Sequence, residues 1–280
     1  MIDTTIVVPC YNEAARLRPD AFVAYVASRP QVELLFVDDG STDGTRRVLD
    51  SMRAAAPAQI SMLGLPENRG KAAAVRAGMQ EGLARGRGMV GYWDADLSTP
   101  LEAIDEFRRV LAERAEVALV MGARVKLLGR RIERLESRHY LGRFFATAVS
   151  LVLRLPVYDT QCGAKLFRAT PETAAVFATP FRARWIFDVE ILARMIRYRA
   201  GAATLAGAVI EHPLVEWRHV RGSKLRSADF LVAAKDLAII YREYLGRHGV
   251  RREKPSIAEK LEDEGGIGEH QRREIKYKHQ

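Results

Sequence analysis

Short apolar runs alternate with helical spacings through the first half of the chain. Thr5–Val8, Leu34–Val37, Ile60–Leu63, Val90–Trp93 and Val117–Met121 are compact, mostly branched or aromatic runs that read as buried strands. Between them, Ala14–Ala27, Thr45–Ala56, Lys71–Ala84 and Leu101–Arg114 carry helical patterns. Strand–helix alternation predicts the α/β class, a mostly parallel sheet covered by helices. Further on, Tyr140–Leu155 reads as an apolar helix and Asp159–Arg168 as a loop entering a strand. Phe187–Arg199 reads as a helix, Thr204–Ile210 and Val215–Val220 as strands, and Ser227–Leu245 as a last helix. Residues 1–248 form one domain on this reading, and 249–280, dense in both charges, form a mobile tail.

Composition narrows the class. With 280 residues and 48% hydrophobic content the chain can bury a large core, and 28% charged residues argue against wholesale disorder. The formal net charge of +9 favours anionic partners: nucleic acid, phosphorylated small molecules or an acidic membrane face. Two cysteines, Cys10 and Cys162, form no CxxC pair, which suits a reducing, cytoplasmic compartment. Thr5-Ile6-Val7-Val8 follows Met1 so closely that a strand is expected there rather than a signal peptide. No apolar run reaches the roughly 18 residues of a spanning helix.

The polar motifs fall at strand ends, where ligands of such sheets bind. Asp94-Ala95-Asp96 follows the run Met89–Trp93. Two carboxylates two residues apart offer hard oxygen ligands to Mg²⁺ or Mn²⁺, and such an ion can neutralise a departing diphosphate. Asp38-Asp39-Gly40-Ser41-Thr42-Asp43-Gly44-Thr45 combines N-cap residues with turn glycines, and Asp39 there can meet a ribose or base edge. Lys71, at the start of a helix after Asn68-Arg69-Gly70, can face a phosphate. A phosphate-loop nucleotidase is excluded, since Gly64 and Gly70 are one residue too far apart and Ala72 replaces the required Ser or Thr. No GxGxxG fingerprint follows a strand.

From Gly122 to Arg143 seven basic residues, Arg124, Lys126, Arg130, Arg131, Arg134, Arg138 and Arg143, face only Glu133 and Glu136. This stretch is expected to form a pocket for a second anion. Asp159-Thr160-Gln161-Cys162-Gly163 and Phe187-Asp188-Val189-Glu190 set polar residues in apolar surroundings and are expected to line the same crevice. Cys162 reads as a buried filler rather than a nucleophile.

These residues match a known family. Val8-Pro9-Cys10-Tyr11-Asn12-Glu13, Val37–Thr45, Asn68–Ala72 and Asp94-Ala95-Asp96 resemble the family 2 glycosyltransferases of GT-A fold, Rossmann-like in their sheet. Asp159–Phe167, Trp185–Glu190 and Glu216-Trp217 leading to Gly222-Ser223-Lys224 are similar to polyprenyl-phosphate sugar synthases, most of all the dolichyl-phosphate β-glucosyltransferase type. The likeness spans about Thr5 to Leu245. It implies that Pro9, Tyr11, Asn12, Glu13 and Asp39 hold base and ribose, and that Lys71 lies near the nucleotide. Asp94 would contact donor sugar or ribose, and Asp96 would ligate Mg²⁺ or Mn²⁺ with Asp94 and Ser98. Arg124, Arg131, Ser223 and Lys224 would meet diphosphate or acceptor phosphate. The eukaryotic members carry an N-terminal anchor, and Leu97-Ser98 stands where mannosyl relatives have Leu-Gln.

The implied reaction is inverting transfer of a hexose, glucose first, from a nucleotide diphosphate, UDP before GDP, to a polyprenyl or dolichyl phosphate. A phosphate acceptor, dianionic near neutrality, needs no protein base. A hydroxyl acceptor would need one, and Asp188 or Glu190 is the candidate. Tyr140–Leu155 and the face around Phe230, Leu231, Leu237, Ile240 and Tyr244 either rest on a membrane, giving a peripheral enzyme on its inner face, or pack in the core. A soluble transferase on saccharides or small molecules, and a non-catalytic nucleotide-sugar-binding module, are the alternatives. Basic residues beside carboxylates, with no aromatic-studded stripe, argue against nucleic acid. The oligomeric state is open.

Overall fold

The computed structural model describes residues 2–133, 136–218 and 228–246. Strands β1 (Thr4–Cys10), β2 (Val32–Asp38), β3 (Ile60–Gly64), β4 (Met89–Trp93) and β5 (Leu119–Ala123) alternate with helices α1 (Pro19–Ala27), α2 (Thr45–Ala55), α3 (Lys71–Ala84) and α4 (Ala103–Glu113). There follow β6 (Arg131–Ile132), α5 (Glu136–Leu153), β7 (Ala164–Arg168), α6 (Pro171–Ala178), α7 (Phe187–Tyr198) and α8 (Ala202–Ala206). Strands β8 (Val209–Pro213) and β9 (Glu216–Trp217) and helix α9 (Ala228–Ile240) come last. The expected tail, 249–280, lies outside the described residues.

The main sheet has seven strands in the order β3-β2-β1-β4-β7-β5-β8, and β6 pairs with β9 in a second, small sheet. β7 alone runs antiparallel, inserted between β4 and β5. Strand alternation sends side chains to two cores. Ile6, Val8, Leu34 and Phe36 go to one face with Leu49 of α2 and Phe107 of α4. Val7, Leu35 and Val37 go to the other with Val75 of α3 and Leu192 of α7. Covered on both sides, β2 is buried at every position. The chain order turns back at β1, which pairs with β2 on one side and β4 on the other. That reversal opens a crevice beyond the strands' carboxyl ends.

Two expectations need correction, and one helix went unread. α1 begins at Pro19, not Ala14, because proline lacks an N–H for a helix interior but suits its first turn. Residues 14–18 instead start with a turn, in which Arg16 and Leu17 donate to the Glu13 carbonyl. The strand expected over Thr204–Ile210 is the helical turn α8 followed by β8, which starts only where Val209 meets Leu119. α6 escaped the periodicity reading, although Thr170 caps it through Thr173 N–H and Pro171 opens it. The helix expected over Tyr140–Leu155 packs inward at Val149 and Leu153, and Phe145 meets Trp185. The last helix buries Ala233 and Ile240. Both helices are core elements at these positions.

Candidate active site

A cavity of about 340 Å³ lies in the crevice, within the range of small-ligand sites. Pro9, Tyr11, Glu13, Asp39, Asn68, Gly70, Lys71, Asp94 and Asp96 line it. The loops after β1 and β2 are stitched together. Asn12, at φ 52°, accepts Thr42 N–H at 2.9 Å on its side-chain oxygen, and its own N–H donates to Ser41 Oγ. Glu13 N–H donates to Thr45 Oγ1 at 2.8 Å. Asn12 therefore shapes the rim; it is absent from the cavity lining.

Asp39 is buried, and its two oxygens accept Arg69 N–H and Gly70 N–H, each at 2.8 Å. One carboxylate thus fixes the turn that delivers Lys71 to the start of α3. Lys71 Nζ then meets Asp94 Oδ1 at 2.5 Å. Burial alone would lower the Lys71 pKa, but the charges of Asp94 and Asp188 outweigh it and hold the ammonium above its ordinary range. Asp96 Oδ1 accepts Ser98 N–H at 2.9 Å, and Ser98 itself is buried. The second Asp96 oxygen has no partner among the described residues.

Gly163 determines how Asp94 sits. Its carbonyl accepts Asp94 N–H at 3.0 Å, and a Cβ on it would stand 1.9 Å from Asp94 Oδ2. Beneath lies Lys165, fully buried, which donates to the carbonyls of Thr160 and Cys162 and to Asp188 Oδ1 at 2.5 Å. The Tyr92 hydroxyl donates to the same oxygen, its pKa pushed up by burial and by Asp188. Cys162 is buried, and burial pushes its thiol up to about 11.

The other expected residues are engaged elsewhere. Arg124 clamps Asp159 in bidentate fashion, Nε–Oδ2 at 2.6 Å and Nη2–Oδ1 at 2.7 Å. It also stacks over Trp217. Burial opposes the Arg124 charge, but Asp159 more than restores it. Arg131 is largely exposed and lies 3.8 Å from Glu216. Glu190 contradicts the expectation of a base: it is fully buried, outside the cavity lining, and its carboxylate accepts from Arg182 N–H, Ala183 N–H, Arg194 and Tyr244. Its donors come from its own surroundings rather than from the cavity. Ser223 and Lys224 lie outside the described residues.

Residues 5–172 match the family model described as glycosyl transferase family 2. The chain belongs to this family. It is 34% identical over 250 residues to a dolichyl-phosphate beta-glucosyltransferase of Trichomonas vaginalis, covering 85% of this chain and 70% of that one. With the dolichyl-phosphate beta-glucosyltransferase of Drosophila melanogaster it shares 33% identity, over 87% of this chain and 76% of the other. Among solved structures, glucosyl-3-phosphoglycerate synthase of Mycobacterium tuberculosis, in complex with Mn²⁺, UDP and glucosyl-3-phosphoglycerate, superposes with a TM-score of 0.55 at 18% identity. That match covers 87% of this chain and 77% of that one, and the fold is GT-A.

In this glycosyltransferase two cations were given no role by motif reading. Lys165 stands in the resembling segment Asp159–Phe167, but its pairing with Asp188 is set only by the fold. Arg184 is the other. Its Nη2 lies 3.7 Å from the point where a Cβ on Gly70 would stand, beside the cavity. The two preceding N–H groups are the ones Glu190 holds, so the buried Glu190 fixes the backbone that presents Arg184. A cluster of polar atoms around the Asp-x-Asp is also incompletely satisfied. Glu13 Oε2 is buried without a partner. The Glu13 pKa is raised by burial and, further, by Asp96 and Asp94. Among the described residues no three His, Cys, Asp or Glu form a metal cluster. Asp94 and Asp96 on the cavity lining are hard carboxylate donors of the kind that Mg²⁺ or Mn²⁺ takes alongside phosphate and water oxygens.

Proposed function

We propose that this glycosyltransferase transfers a hexose, glucose first, from a UDP-linked donor to a polyprenyl or dolichyl phosphate, with inversion at the anomeric carbon. The observation that carries the reading is the state of the two candidate bases. Asp188 Oδ1 is occupied by Lys165 and Tyr92, and Glu190 accepts from donors of its own surroundings. A hydroxyl acceptor must lose a proton, whereas a phosphate dianion brings its own lone pair. The acceptor oxygen forms the new bond to the anomeric carbon. The bond from that carbon to the diphosphate oxygen breaks, and its electron pair leaves with the nucleotide. No proton moves, so the task is positioning and charge relief.

Pro9, Tyr11, Glu13 and Asp39 are assigned to the nucleoside, and Lys71, Asp94 and Arg184 to the sugar diphosphate. Asp96, helped by Asp94 and Ser98, would hold Mg²⁺ or Mn²⁺, which when bound neutralises the departing diphosphate. The named activities of the Trichomonas and Drosophila relatives support the acceptor class. No described helix is long and apolar enough to cross a membrane, and the enzyme is proposed to meet its lipid peripherally, on the inner face.

Incubation with UDP-glucose, isoprenyl phosphate and Mn²⁺ tests this, read by extraction of labelled lipid. The expected result is a lipid-linked product that disappears with chelator and is weaker with GDP-mannose. Transfer to saccharides with none to isoprenyl phosphate would reject the acceptor.

A further inference from the structure

Among the described residues, none of the basic side chains of the stretch after β5 lines the cavity. The first of them, Arg124, is taken by Asp159. Lys126, Arg130 and Arg131 belong to a projecting loop that is pinned at its base and bare at its tip. At the base Ile132 is buried, Arg131 N–H donates to Val215 O and Glu133 N–H donates to Trp217 O, both at 2.9 Å. At the tip Arg130 N–H donates to Leu127 O at 3.1 Å, closing a turn with Gly129 at φ 80°. Glycine is the residue such a turn favours at its third position. The turn pushes Leu128 into full exposure, 104% of the reference, with Leu127 at 49%. Val215, hydrogen-bonded beside the base, is exposed as well. Lys126, Arg130 and Arg131 flank these apolar groups, all exposed. Glu133 and Glu216 are the nearby acids, and Glu216 is shared by Arg131 and Arg218.

Loops normally turn polar side chains outward, so leucines at a fixed tip need a partner. A ring of cations around an apolar tip matches an anionic bilayer surface, with acyl chains below and phosphates at the level of the cations. A net charge of +9 adds long-range attraction to the same surface. The loop leaves β5 at its carboxyl end, the same edge of the sheet at which β4 delivers Asp94. A membrane meeting that edge would present a lipid headgroup to the crevice.

We propose that Leu127 and Leu128 insert into an anionic lipid bilayer, with Lys126, Arg130 and Arg131 on its headgroups, and that this loop docks the active-site edge on the membrane. The inference deepens the lipid-phosphate reading of the acceptor and rests on it for its biological sense.

The full chain is sedimented with phosphatidylcholine vesicles, with and without phosphatidylglycerol. The expected result is binding to the anionic vesicles only, weakened by salt. Leu127→Ser with Leu128→Ser should lower the partition about tenfold or more, and Lys126→Gln with Arg130→Gln about tenfold. Leu128→Trp should shift its emission to the blue on these vesicles, beyond the wild-type change, and be quenched by brominated acyl chains. UDP–Mn²⁺ thermal shifts equal to wild type verify that each variant keeps its fold. The inference is overturned by absent vesicle binding, by equal binding of the double serine variant, or by an unshifted Leu128→Trp. It is also overturned if the leucines instead mediate self-association, seen as a dimer lost in the serine variant without vesicle binding. Loop-dependent vesicle binding without transfer to isoprenyl phosphate in detergent would reject the acceptor reading and leave the docking intact. Transfer in detergent with loop-independent vesicle binding would do the reverse.

Discussion

The ammonium of Lys71 and Oδ1 of Asp94 stand 2.5 Å apart, joining the first residue of α3 to the end of β4. Each partner is set by a separate device: Lys71 by the Asp39 clamp on the preceding turn, Asp94 by the bare Cα of Gly163. The pair therefore registers two halves of the cavity against each other. Lys71→Ala and Asp94→Asn should each lower kcat/KM by about a hundredfold or more, since both act on charge that develops at the leaving diphosphate. Both groups are partly solvated, so melting temperatures should move little. Steady-state kinetics beside thermal melts check this, and unchanged kcat/KM in both variants would remove the pair from the site.

Gly163→Ala should be damaging out of proportion to its size. The new methyl would overlap Asp94 Oδ2, so the carboxylate or the backbone must shift. Overpacking of this kind costs about 1–3 kcal/mol. The expected outcome is a modest fall in the urea midpoint with a loss of at least about tenfold in kcat. A variant as active as wild type would show that Asp94 can move freely.

Lys165→Met should be severely destabilising. It would leave Asp188 buried with one donor fewer and free the Thr160 and Cys162 carbonyls. Breaking a buried ion pair from one side costs about 3–5 kcal/mol. Adding Asp188→Asn should recover part of that loss, because the uncompensated charge is removed. Urea unfolding of both variants measures the difference. No recovery would mean that the carbonyls, not the charge, dominate.

Asp43 gives a prediction in pH. Its hydrogen bond from the Thr45 hydroxyl, with backbone N–H groups of Thr45 and Ala14, holds its pKa below the usual carboxylate range. A depressed pKa means that the contribution to stability is complete above the unfolded value and is lost as pH falls through the folded one. Asp43→Asn should therefore melt lower than wild type at neutral pH, and the gap should close on acidification below the ordinary aspartate range. A gap independent of pH would mean that the loss is one of shape rather than charge.

Much of this was legible in the chain itself. The apolar runs of β1, β2 and β4 announced their strands because each is covered on both faces. Pro9, Tyr11, Glu13, Asp39, Lys71, Asp94 and Asp96 could be gathered at one edge because each follows or faces a strand's carboxyl end. Arg124, Arg131 and Glu190 turned out to have ion-pair partners that the sequence did not announce. A charged residue in a sequence looks available to a ligand until its partner is known, and Asp159, Glu216 and Arg194 are partners chosen by folding. The helix over Pro171–Ala178 is a different lapse, since Thr170-Pro171-Glu172 carried a cap and a proline that short apolar spacing concealed.

Periodicity and local turn chemistry are properties of neighbours along the chain, so the sequence alone determined the alternating strands and helices, the glycine turns and the acidic couple after β4. The antiparallel insertion of β7, the burial of Lys165 against Asp188, the approach of Arg184 to Gly70 and the baring of Leu128 join residues or surfaces set by distant segments. Only the tertiary structure decided them, because desolvation and ion pairing act through space, between groups whose separation the covalent chain leaves free.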